Sequence, residues 1–274
     1  MNNVAVILPV YRKDKADYIK MAVNSILNQT YRNHHLFIGV DGPVGEEIRV
    51  TLGEFSVQDE LTIVWFKENR GLACVLNDLL DICFKKGYEY IARMDADDIS
   101  MPERLEKQMN FLLEHPEIDV VGGSILEIDE RGNSRNKVIV YPPMPKDCKV
   151  FFSKRNPHAH PAVLFRKSFF DKLNRGKYRP EYRQNQDTML WYDGMMAGTM
   201  HANVPDVVLK FRMTDSMLKK RRNGWSFAKK QFQDRLMINK GLGYGFGANI
   251  YGFAMFCMLI SPVWVKKIAY RMLR

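Results

Sequence analysis

At 274 residues, 46% hydrophobic and 12% aromatic, the chain suits one large α/β domain, or one domain with an extension, and can bury a sizeable core. Its four scattered cysteines, Cys74, Cys83, Cys148 and Cys257, form no CxxC pair; they argue against a zinc site or a disulfide framework and suit a reducing compartment. The net charge of +10 belongs to the tail, where twelve Lys and Arg face only Asp215 and Asp234, while residues 1–214 carry 29 charges of each sign.

Val4 to Val10 is an apolar β-type run ending in Pro9-Val10-Tyr11. It is short, lacks a basic region before it and is broken by Pro9, so no signal peptide is expected. Asp17 to Gln29 carries a helical stripe of Ile19, Ala22, Val23, Ile26 and Leu27. His35 to Val40 reads as the second strand, closed by Asp41-Gly42, and Leu61 to Phe66 as the third, followed by Asn69-Arg70-Gly71. Leu72 to Phe84 is helical, with Leu72, Val75, Leu76, Leu79, Leu80 and Cys83 inward. Tyr88 to Met94 is the fourth strand. This alternation predicts a parallel sheet with right-handed crossovers.

The fourth strand runs into Asp95, Ala96, Asp97 and Asp98. Three carboxylates in four residues repel one another and need compensating positive charge, which a hard divalent cation commonly supplies. The spacing predicts a helix over Pro102–Glu114, with Ser100 and Glu103 as a capping box and Pro102 at its first position. The cluster then lies in a strand-to-helix loop, where open α/β sheets place ligands. The alternative is a solvated acidic turn. An EF-hand is excluded, because Ile99 and Ser100 stand where a ligand and a glycine are required. The glycines from Gly241 to Gly247 do not match a dinucleotide loop.

Further on, Val120 to Ile128 is a strand, with Val138 to Tyr141 as hairpin partner across a turn at Asp129 to Asn133. Asn156 to Pro161 is a loop, Ala162 to Phe165 a strand, Tyr178 to Gln186 polar, Asp187 to Ala197 helical and Val207 to Met213 strand-like. Asp187 is either a helix cap or a general base. His158 and His160, two apart with no third ligand, make a weak zinc pair.

From Lys219 the character changes. Lys219 to Arg222 and Lys229-Lys230 flank Trp225 and Phe227; Ile250 to Val265 is mostly apolar; Lys266, Lys267, Arg271 and Arg274 close the chain. The apolar run has 16 residues and contains Ser261-Pro262, short of the ~20 that a spanning helix needs. It reads as a lipid-surface helix or re-entrant hairpin on an anionic membrane, or as a helix packed on protein or in a homodimer.

The segments VAVILPVYRK, IGVDG, NRGLACVLN, RMDADDISMPERL and QNQDTMLWYDGMMAG, in this order over about residues 1–215, resemble glycosyltransferase family 2. The resemblance is to small bacterial transferases that build O-antigen or capsule repeat units. It implies a GT-A fold, a Rossmann-like, mostly parallel α/β sheet flanked by helices. Residues 1–215 would form that domain, and 216–274 a basic, apolar, membrane-associating extension. It makes Asp95 and Asp97 the DxD pair, with Mn²⁺ or Mg²⁺ on Asp97 and Asp95 serving the ribose or a metal-bound water. Pro9 and Tyr11 would line the base, and Asp41 would accept from the uracil ring; Gly42 replaces a second Asp common in the family. Asn69, Arg70 and Gly71 would lie near base and ribose. Arg93 would lie near the diphosphate or form a plain ion pair with the cluster. Asp187 would be the base, in an (E/Q)D pair whose first member here is Gln186. His160, Trp191 and Arg212 would serve acceptor or phosphate, with a structural histidine and a solvated arginine as the alternatives.

The leading function is an inverting, metal-dependent glycosyltransferase. It would take a UDP-sugar donor and a polyprenyl-diphosphate-linked acceptor, work at the cytoplasmic face of the membrane, form a β-linkage and have no nucleic-acid partner. Without a QxxRW-like motif after Asp187, a single addition per encounter is expected. A sugar-1-phosphate nucleotidyltransferase is the alternative enzyme, although Pro9 to Asp17 lacks the glycine-rich loop it needs. A nucleic-acid-binding module using the tail is the third, opposed by the neutral body.

Overall fold

The computed structural model describes residues 3–214 and 225–261. It divides into two compact units, one of 1–149 with 156–212, the other of 150–155 with 213–274.

The first unit is built on a nine-stranded sheet whose strands lie in the order Leu61–Trp65, His34–Val40, Val4–Val10, Tyr90–Arg93, Leu164–Arg166, Val120–Ile128, His201–Arg212 and Ile99–Ser100, with Ser134–Ile139 paired to Val120–Ile128. β1 (Val4–Val10), β2 (His34–Val40), β3 (Leu61–Trp65) and β4 (Tyr90–Arg93) are mutually parallel, joined by α1 (Ala16–Leu27), α2 (Glu46–Phe55) and α3 (Leu72–Lys85). The apolar run of β1 is buried along nearly its whole length, as in a parallel strand covered on both faces. Ile19, Ala22, Val23 and Ile26 of α1 are fully buried against the sheet, as their spacing predicts.

Beyond β4 the sheet turns mixed. β8 (Leu164–Arg166) is antiparallel to β4 and to β6 (Val120–Ile128), and β6 is parallel to β9 (His201–Arg212). β9 starts well before the strand expected at Val207, because β6 pairs with it from His201 onward. The hairpin partner β7 is Ser134–Ile139 rather than Val138 to Tyr141. The strand expected at Ala162 is preceded by a 3-10 turn at His160–Ala162. Sequence periodicity also missed α2, α5 (Pro145–Phe152) and α6 (Lys167–Lys172).

The expected capping box does not form. Ser100 belongs to a two-residue strand β5 (Ile99–Ser100) paired with β9, and its hydroxyl meets Gln29 Nε2 at 3.1 Å. α4 (Arg104–Glu114) starts two residues later than expected, with no side-chain cap from Glu103. Gln29, fully buried beyond the end of α1, supplies it instead: its Oε1 accepts the Leu105 N–H at 3.0 Å. A long-range partner thus does the work assigned to a local motif.

In the second unit, α8 (Trp225–Gly241) and α9 (Phe246–Ile260) pack through Trp225, Phe232, Phe253 and Phe256, with ring centroids 5.3–6.2 Å apart. Gly252 permits the approach: a Cβ there would lie 2.9 Å from Arg235 Cγ. Among the described residues no helix is long and apolar enough to cross a membrane. Residues 219–222 and 262–274, on which part of the basic-tail expectation rests, lie outside those described.

Candidate active site

The carboxyl ends of β2, β1 and β4 each deliver candidate residues. Asp41 follows β2, and its carboxylate accepts the N–H groups of Arg70 at 2.8 Å and Gly71 at 2.9 Å. Asn69 Nδ2 donates to the Asp41 carbonyl at 3.0 Å. The chain can close this tightly because residue 42 is glycine. It sits at φ +80°, and a Cβ there would meet the Asn69 nitrogen at 2.5 Å. Gly42 therefore makes a backbone contact where the family pattern has an acid. Asp41, buried, acts first on the 69–71 loop, with both oxygens engaged. Pro9 and Tyr11 stand half-buried at the end of β1, with the Tyr11 N–H on Asp14 Oδ2 at 2.8 Å.

β4 ends at Arg93 and opens into the aspartate cluster. One carboxylate oxygen from each of Asp95, Asp97 and Asp98 lies within 4.8 Å of the others. Asp95 and Asp97 are half-buried, while Asp98 is 1% exposed. Burial pushes the Asp98 carboxyl well above the usual carboxylate range. The neighbouring Asp97 and Asp95 charges add to this shift, and the Arg212 N–H and the Arg93 charge oppose it.

Three buried arginines surround the cluster. Arg93 is ion-paired with Asp95. Arg104 donates to the Arg93 carbonyl at 2.7 Å, and its burial draws its pKa down to about 9. Arg212 donates through its backbone N–H to Asp98 Oδ1 at 2.8 Å and through Nε to the Asp97 carbonyl at 2.7 Å. Part of the compensation that the sequence assigned to a cation is therefore built in, through the Arg93 charge. A cation still fits: Asp98 Oδ2 is buried without a hydrogen-bond partner, and the three acids offer the hard oxygen set that Mn²⁺ or Mg²⁺ takes.

Two placements correct the sequence-based roles. Arg212, expected at a phosphate, is fully buried; it also donates to the Asp129 and Glu130 carbonyls and lies 4.1 Å over the Tyr18 ring. It pins the cluster loop to the turn after β6. Trp191, expected toward the acceptor, is fully buried against Phe165 and His158, at 5.8 and 5.0 Å. Arg93 takes the ion-pair alternative, at 2% exposure.

Asp187 lies in the first turn of α7 (Gln186–Met196). The N-cap position belongs to Asn185, held at φ +60°, so Asp187 sits inside the helix rather than capping it. Its Oδ2 accepts from Asn156 Nδ2 at 3.0 Å. His160, 7% exposed, bonds its Nε2 to the Tyr178 hydroxyl at 2.7 Å. Tyr178 is locked to α3 by two hydrogen bonds with Asn77, at 2.9 and 3.0 Å. Burial raises the Tyr178 pKa, Arg93 opposes the rise, and the charges of Asp187 and Asp95 add to it. His160 and Tyr178 thus form one buried hydrogen-bonded pair.

Behind it lies a neutral relay that the sequence did not reveal. Asn203 Nδ2 donates to the Pro142 and Pro157 carbonyls, so its Oδ1 accepts from His158 Nδ1 at 2.8 Å. His158 Nε2 then accepts from His201 Nδ1 at 3.0 Å, and His201 Nε2 from the Thr199 hydroxyl at 2.9 Å. Burial lowers His158 to about 4 and His160 and His201 well below the usual histidine range. Gly122 leaves room for the relay: a Cβ there would lie 2.2 Å from Asn203 Oδ1. Asn156, Tyr178, His201 and Asn203 carry no local motif; only His158 and His160 stood out, through the HAHP loop.

Residues 5–173 match the family model described as Glycosyl transferase family 2. The chain is 34% identical over 230 residues to the amylovoran biosynthesis glycosyltransferase AmsE of Erwinia amylovora, covering 84% of this chain and 83% of that protein. It is 26% identical over 225 residues to an Escherichia coli UDP-Gal:alpha-D-GlcNAc-diphosphoundecaprenol beta-1,3-galactosyltransferase, covering 82% and 78%. Its fold is similar to that of S. aureus TarS 1-349 in complex with UDP-GlcNAc (TM-score 0.65, 14% identity, 94% and 71% covered). A second likeness is to the Pyrobaculum calidifontis mannosyltransferase PcManGT in complex with GDP-Man and Mn²⁺ (TM-score 0.58, 16% identity, 98% and 79% covered).

Proposed function

Since this chain belongs to glycosyl transferase family 2 and is a glycosyltransferase of GT-A fold, we propose that it is an inverting, metal-dependent transferase of surface-polysaccharide assembly. The donor is a UDP-sugar, and the acceptor is a saccharide on a polyprenyl diphosphate. The observation that carries this reading is the aspartate cluster at the end of β4, where one carboxylate oxygen from each of Asp95, Asp97 and Asp98 lies within 4.8 Å of the others and Asp98 Oδ2 is buried without a hydrogen-bond partner.

Asp97, Asp95 and Asp98 would hold Mn²⁺ or Mg²⁺, which supplies charge neutralisation for the departing diphosphate. Asp187 takes the proton of the acceptor hydroxyl as that oxygen forms its bond to the anomeric carbon. The bond from that carbon to the diphosphate oxygen breaks, its electron pair leaves with UDP, and the α-linked donor becomes a β-glycoside. Asp41 holds the 69–71 loop against the nucleotide, with Pro9 and Tyr11 lining the base and Asn69 and Gly71 beside base and ribose. Arg93 acts on the diphosphate side by fixing Asp95.

The lipid-linked acceptor requires a membrane surface. Phe246, Ile250 and Phe253 are 78%, 57% and 55% exposed and share one face of α9. That face supports an interfacial helix, backed by the basic residues of the tail.

The test is a donor screen with membranes carrying the lipid-linked acceptor, reading both UDP and pyrophosphate. UDP release with sugar appearing on the lipid supports transfer. Pyrophosphate release from UTP and a sugar 1-phosphate would favour nucleotidyl transfer instead.

A further inference from the structure

We infer that Asn156 is the positioning residue that aims the Asp187 carboxylate, an inference that rests on Asp187 being the base. Its carboxamide spans two consecutive residues of α7. Nδ2 donates to Asp187 Oδ2 at 3.0 Å, and Oδ1 accepts from Thr188 Oγ1 at 3.1 Å. An ionised carboxylate only accepts, so the amide nitrogen must face Asp187. The amide oxygen then faces a hydroxyl that can donate, and both ends match.

The clamp stands on a rigid support. Asn156 precedes Pro157, which restricts residue 156 to extended backbone. The Pro157 carbonyl accepts from Asn203 at 3.1 Å, and the next residue, His158, is tied to Asn203 and His201. α7 itself rests on the same relay through Trp191, whose ring lies 5.0 Å from His158. Loop and helix thus share one foundation, and Asn156 closes the gap between them. A base in the first turn of a helix keeps rotamer freedom at χ1 unless something holds it, and a misplacement of ~1 Å costs on the order of 100-fold in rate.

The experiment measures kcat, donor KM and Tm for Asn156→Ala, Asn156→Asp and Asp187→Asn, and for both Asn156 substitutions in the Asp187→Asn background. Asn156→Asp keeps size and the acceptor for Thr188 but sets a carboxylate against a carboxylate, so it guards against a mere packing effect. Expected is a loss of kcat of ~10–100-fold in both single variants, with donor KM within about twofold and Tm little changed in Asn156→Asp. Neither substitution should lower the residual rate of Asp187→Asn further. Wild-type kcat in the Asn156 variants, or a further fall in the Asp187→Asn background, overturns the inference. Wild-type turnover of Asp187→Asn overturns the base assignment itself, a distinct result.

Discussion

Arg93 is ion-paired with Asp95 at the end of β4, while its Nε and Nη1 atoms are buried without a hydrogen-bond partner. A buried guanidinium so placed holds an acidic cluster together before any cation arrives. Arg93→Met leaves three carboxylates less compensated, and breaking a largely buried pair costs about 3 kcal/mol. The variant should melt lower than wild type without metal and gain more Tm from Mn²⁺. An equal Mn²⁺ shift in both proteins would show that Arg93 does not compensate the cluster.

Asp41 acts through the backbone of the next loop. In Asp41→Asn only one side-chain oxygen remains to accept, so one of the Arg70 and Gly71 N–H bonds is lost. UDP affinity should fall about tenfold, the equivalent of ~1.4 kcal/mol, as read by titration calorimetry. Unchanged affinity would separate the 69–71 loop from nucleotide binding.

Three buried histidines, His158, His160 and His201, set an acid limit. His158 titrates at about 4 when folded, against an ordinary 6.5. The unfolded chain takes up its proton first, so this stabilisation is complete above pH 6.5 and is lost as pH falls toward 4. For His158 alone the loss is on the order of 3 kcal/mol. Tm should fall between pH 6.5 and 4.5, less steeply in His158→Gln. The same slope in both proteins would exclude the relay as the cause.

Gly122 makes space for that relay. Gly122→Ala should destabilise by about 2 kcal/mol, because the methyl group displaces Asn203 from His158 and leaves buried polar groups unpaired. Urea denaturation measures it. A change within 0.5 kcal/mol, roughly the effect of a neutral surface substitution, would contradict this.

Much of this architecture was legible because it is local. The period of α1, the apolar run of β1 and the DADD cluster after a buried strand each announce themselves within about a dozen residues. What stayed hidden depends on partners far apart in sequence. Gln29 caps α4 across 76 residues, Asn203 meets His158 across 45, and Asn156 reaches Asp187 across 31. The capping box failed for the same reason: β9 drew Ser100 into a strand before the helix could use it. Trp191 and Arg212 have residue types that suit a binding surface, yet both are buried, and only their tertiary neighbours reveal it.

The most direct test is a crystal of the protein with Mn²⁺ and a non-hydrolysable UDP-sugar, read by anomalous scattering. The account predicts the manganese peak within ligand distance of Asp97 and of the diphosphate, with the Asp187 carboxylate facing the anomeric carbon. A peak away from Asp97, or Asp187 turned from the sugar, would contradict it.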